Sequence, residues 1–153
     1  MTNLDKWLVA VHVLCAVIWV GGSFYSQALA IRAQGNGAIP LSAFAKDTEF
    51  AGFRVFLPAS LLLLASGIWL VSRDVFTLDE WVVWGLIVIA ISIVTGAGFL
   101  GPESGRIGKL MDERGEGDAE VERRIKRIFL VSRIELILLL SVVIVMVTKP
   151  GAG

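Results

Sequence analysis

Four long stretches without charge dominate this chain. Residues 7–31, 55–72 and 81–100 hold no Asp, Glu, Lys or Arg, and residues 128–148 hold only Arg133 and Glu135. A helix needs about 20 apolar residues to cross the hydrocarbon core of a bilayer. Backbone polar groups in lipid must be satisfied within the segment, so each stretch is expected to be a helix. The rest of the composition agrees. Apolar residues make up 56% of the chain and charged residues 18%, against about 45–50% and about 25% in soluble domains. The reading is an all-α polytopic membrane protein, a single antiparallel bundle of four transmembrane helices. The expected helices lie at about 7–31, 54–72, 81–101 and 118–148. A soluble domain and a disordered chain are excluded. A disulfide scaffold is excluded too, because Cys15 is the only cysteine.

The first stretch has one feature of a signal peptide, a small-residue site at Ala28-Leu29-Ala30. Its length argues for retention as a helix. So do the Asp5 that offsets Lys6 and the polar residues His12, Ser23, Ser26 and Gln27 within it. Pro58 falls in the first turn of the second helix, where a missing N–H costs little. Trp81 and Trp84 open the third as expected interfacial anchors. Gly101-Pro102 is expected to end the third helix, and Lys149-Pro150 the fourth. A short surface helix is expected after Pro40. Residues 102–117, rich in glycine and charge, read as a flexible turn. From Asp118 helical spacing resumes, supported by the i,i+4 pairs Glu120–Arg124 and Glu122–Lys126.

Net charge is zero, 14 basic residues against 14 acidic, so nothing points to nucleic acid. The basic residues are nevertheless distributed unevenly. Ten of them, Arg32, Lys46, Arg54, Arg106, Lys109, Arg114, Arg123, Arg124, Lys126 and Arg127, fall on the loops of one side. The opposite side holds Lys6, Arg73 and Lys149. The positive-inside rule then places both termini outside the cytoplasm of a bacterial cell membrane. The cluster at 123–127 would also attract anionic lipid.

Gly96-Ala97-Gly98-Phe99-Leu100-Gly101 matches a dinucleotide-binding pattern, but that pattern needs a preceding strand. Inside a membrane helix its glycines read as packing residues. So do Gly22, Ser26, Ala59, Ser66, Gly67, Gly85 and Ser92, which could also mediate homo-oligomers.

Helix one carries a polar stripe of His12, Ala16, Trp19, Ser23 and Ser26, with Cys15 at its edge. Such a stripe should face protein. His12, the only histidine, has three open roles. It is a hydrogen-bonding partner for a neighbouring helix, an axial haem ligand, or a copper ligand together with Cys15 one turn away. On helix four, Leu138, Leu139, Val142, Met146 and Lys149 share the face of Glu135, while Arg133 points almost opposite, toward headgroups. A carboxylate facing the bundle is expensive unless paired or protonated, and Arg54 is the nearest candidate partner. Met146 should lie at a depth similar to that of His12, so a His/Met pair around haem or a soft metal is an open arrangement.

The chain resembles bacterial four-span membrane proteins related to the HemJ-type protoporphyrinogen oxidases and to the copper-resistance-D membrane domain. Its nearest likeness is an uncharacterised family of that group. The residues that carry the likeness in helix one are His12, Trp19, Gly21, Gly22 and Tyr25. Pro58 and Ser66-Gly67-Ile68-Trp69-Leu70 carry it in helix two, and Glu135 and Val147-Thr148-Lys149-Pro150 in helix four. The resemblance implies haem b bound through His12 and Lys149 as a functional cation. It would make the protein, if an enzyme, an oxidoreductase. Where the family has Pro-Arg after the tyrosine, this chain has Gln27-Ala28. Fold and haem binding are therefore carried over, and the activity is held back. Two other function classes stand beside this one: a small transporter or copper-handling protein, and a non-catalytic assembly subunit.

Overall fold

A computed structural model of the chain describes residues 2–36, 41–73 and 78–149, and these residues contain no strand. Helix α1 spans Asn3–Asn36. Helix α2 (Leu41–Ala51) runs through a π-helical turn at Gly52–Phe56 directly into α3 (Leu57–Ser72). Helix α4 (Glu80–Thr95) likewise runs through a π turn at Gly96–Leu100 into α5 (Gly101–Arg114). Helix α6 covers Ala119–Thr148. The chain thus has four helical spans, Asn3–Arg32, Leu41–Ser72, Glu80–Arg114 and Ala119–Thr148, each long and apolar enough to cross a membrane.

Two expected boundaries are corrected. Gly101-Pro102 does not end the third helix, and residues 102–114 are helical rather than a flexible turn. The second span begins at Leu41, not Arg54, and takes in the short surface helix. Proline explains both. Inside an α-helix it removes one hydrogen bond and clashes with the carbonyl four residues back. Pro58 and Pro102 each follow a π turn, where the bonds reach one residue further. Leu57 N–H donates to Gly52 O, and Gly101 N–H donates to Gly96 O. The wider turn absorbs the proline without breaking the helix. The stop falls instead at Gly115, whose φ of 85° suits glycine.

The spans close into a ring, α1 beside α3, α3 beside α4, α4 beside α6, and α6 beside α1. Trp19, Val88, Ile89 and Leu139 form its buried core. At 32 and 35 residues, the second and third spans are about 48 and 52 Å long, well beyond the about 30 Å hydrocarbon core. Their excess is α2 and α5, which pack on each other at the basic end of the bundle. There Ala45, Ile107, Met111 and Val121 build a second core. Gly105 and Gly108 face α2, where a side chain would meet the Glu49 carboxylate and the Lys46 stem.

Ion pairs seal this end. Lys46 pairs with Asp112, and Arg124 Nη1 holds the buried Glu103 carboxylate at 2.7 Å. The expected pairs Glu120–Arg124 and Glu122–Lys126 are present at 2.8 and 2.7 Å. Asp118 caps α6, its Oδ1 accepting from Glu120 N and Val121 N. At the opposite end Arg73 reaches the buried Asp5 at 3.6 Å. Trp81 is not a lipid-facing anchor. It is 5% exposed, and its Nε1 donates to Asp79. Pro40 and Pro150 lie outside the described residues.

Candidate functional site

The polar stripe of α1 faces inward. Cys15 and Trp19 are buried, and Ser23 and Ser26 line a cavity of about 140 Å³ between the helices. The cavity runs from Trp19, Ser92 and Glu135 to Leu41, Phe44, Met111 and Ile125 at the basic end. Helices α1 to α6 all contribute to its wall. It lies beside the two π turns. Gly52, Phe56, Gly96, Ala97 and Leu100 of those turns sit on its wall.

Glu135 points into this cavity, whereas Arg133, two residues earlier, is exposed. The expected partner Arg54 is not there. Arg54 is exposed, with its guanidinium 5.8 Å from the Phe50 ring, and no ion pair to Glu135 exists among the described residues. The polar residue on the same stretch of wall is instead Ser92. Ser92 is 1% exposed, and its Oγ makes no hydrogen bond of normal geometry. Other hydroxyls in the spans behave differently. Ser60, Ser66, Ser132 and Ser141 each donate to a carbonyl of their own helix. Sequence reasoning took Ser92 only as a small packing residue. The signal it offered was a hydroxyl near the middle of an otherwise apolar run.

His12 is not on the cavity wall. It sits against α3, Nδ1 2.9 Å from Ser66 Oγ and Cε1 beside Gly67. Ser66 Oγ also lies 2.7 Å from Leu62 O and 3.0 Å from Leu63 O, so the His12 ring is held against α3 by a hydroxyl contact of the kind that orients a ligating imidazole. Met146 lies on a different seam, with its Cε against Gly85 of α4. The structure therefore places His12 against α3 and Met146 against α4. Cys15 is free and buried one turn from His12. Among the described residues no group of three or more His, Cys, Asp or Glu is placed to hold a metal ion. His12 is thus the one imidazole that could ligate iron, and it lies off the cavity wall.

Lys149 caps α6 in the left-handed region, φ 41°, with Nζ 5.4 Å from the Trp81 ring. Fourteen residues separate it from Glu135 on one helix, about 21 Å. The two candidates for chemistry thus stand at different levels of the bundle. Gln27 Nε2 and Ser132 Oγ, 2.5 Å apart, join α1 to α6 beside the cavity.

Fold and site together define a polytopic, all-α membrane protein with an interhelical cavity headed by one carboxyl group. The chain belongs to the family described as predicted integral membrane protein (DUF2269), whose model matches residues 6–150. No curated protein and no solved structure matches it.

Proposed function

We propose that this protein binds a small molecule with an apolar body inside the bundle, as a carrier or small transporter of the membrane. The observation that carries this reading is the cavity itself, apolar along most of its wall with Ser92 and Glu135 at one end. Binding sites commonly combine an apolar lining with a few convergent polar groups. An ionisable residue inside a span marks a functional site by default.

The test is a neutral fluorescent probe, N-phenyl-1-naphthylamine, titrated into protein in nanodiscs. Binding should saturate. Ser92→Phe, which fills the cavity, should weaken it by about tenfold or more, equivalent to about 1.4 kcal/mol. Val94→Phe, on the exposed face of the same helix, should leave it unchanged. Equal binding to both variants would refute the cavity as the site.

A second reading, haem b bound through His12, is supported by the contact of His12 Nδ1 with Ser66 Oγ, a partner of the kind that orients a ligating imidazole. Haem would supply redox chemistry, and His12 would supply one axial ligand. In either reading the basic end faces the cytoplasm of a bacterial cell, and both termini lie outside. A reporter fused after Gly153 should then be active only outside, and one inserted at 115–117 only inside. The reverse pattern would overturn this orientation.

A further inference from the structure

We infer that the ligand of this cavity is a protonated organic amine with an apolar body, its ammonium group seated between Glu135 and Ser92. This rests on the cavity reading and adds the charge of the occupant. The first argument is an inventory. Among the side chains lining the cavity Glu135 is the one ionisable group, and no Lys, Arg or His joins it. A carboxylate at that depth is costly unless a cation meets it or a proton neutralises it, and a cationic ligand can do the first. The chain supplies no cation, since Glu135 forms no ion pair among the described residues.

The second argument is independent of charge. Ser92 Oγ is buried without a hydrogen-bond partner and lies on the same wall. A buried hydroxyl left unpaired costs free energy that a ligand N–H would recover. An ammonium group has several N–H donors, enough for Glu135 and Ser92 together. The third argument concerns the walls. Trp19 and Phe56 line the cavity and pack together in the same core cluster. Aromatic faces attract cations, most strongly where water is excluded. Beyond them Phe44, Ile107, Met111 and Ile128 offer a surface for hydrocarbon. A carboxylated or phosphorylated ligand is disfavoured, because it would bring a second negative charge to Glu135 with no cation on the wall.

The experiment compares two fluorinated probes of matched shape by ¹⁹F NMR titration of the full chain in nanodiscs. One is 4-fluorophenethylamine, protonated at neutral pH; the other is its uncharged carbon isostere, 1-fluoro-4-propylbenzene. The amine should bind wild type about tenfold tighter or more, and Glu135→Gln should abolish that preference while still binding the isostere. Retained isostere binding shows that the variant is folded. If Glu135→Gln binds neither probe, Glu135→Asp decides, and it should retain a preference for the amine. Equal affinity of wild type for both probes would overturn the cation assignment and leave the cavity reading standing. An undiminished preference in Glu135→Gln, or its loss in Glu135→Asp, would overturn the assignment as well. Absence of saturable binding by either probe would overturn both.

Discussion

Ile107→Ala should destabilise the protein by about 2–5 kcal/mol, the range for removing a large aliphatic side chain from a packed core. Ile107 is 2% exposed and sits with Ala45, Met111 and Val121 where α2, α5 and α6 meet. That core lies at the basic end, beyond the length needed to span the bilayer. Its apolar groups are therefore shielded from water by one another rather than by lipid. Ile137→Ala is the matching control. Ile137 is 66% exposed on a span, and its loss should change stability by about 0.5 kcal/mol or less. Denaturant titration in detergent, followed by tryptophan fluorescence, reads both. Equal effects would mean that α2 and α5 do not form a packed unit.

The second large effect concerns haem. If the second reading holds, protein reconstituted with haem b shows a saturable Soret band, and His12→Ala abolishes it. Ser66→Ala should weaken or broaden it, because the hydroxyl 2.9 Å from Nδ1 that orients the ring is lost. Met146→Leu should leave it unchanged, since Met146 packs on Gly85 of α4 while His12 packs on α3. A band that survives His12→Ala unaltered would remove His12 from any haem site. No band at all would leave His12 as a helix-packing residue.

The number of spans and the inward face of α1 were legible because both depend on simple quantities, charge-free length and a 100° repeat. The inward side of α6 was legible for the same reason, and Glu135 and Arg133 do point to different environments. Pro58 does lie in the first turn of α3, but the continuity of the helices before Pro58 and through Pro102 was not legible. Proline and glycine ordinarily interrupt helices, and nothing in their spacing announces a π turn. Glycines such as Gly105, which weaken an isolated helix, here face α2. The predicted Glu135–Arg54 pair failed for a related reason. Arg54 lies within the π turn and is exposed. It faces Phe50 and not the cavity. The partnerless Ser92 was illegible because a hydroxyl in a helix usually bonds back to its own backbone. Only the three-dimensional arrangement reveals that it does not.

The proposed ligand sits between the helices and not on their lipid-facing surface. The most direct measurement is photocrosslinking with a diazirine derivative of the naphthylamine probe, with labelled residues mapped by mass spectrometry. Label should concentrate on Phe44, Ser92, Met111 and Phe129, which line the cavity from four different helices, and should fall when unlabelled probe competes. Label spread over Val94, Ile137 and Val147, all exposed on the outside of the spans, and indifferent to competition would contradict the account.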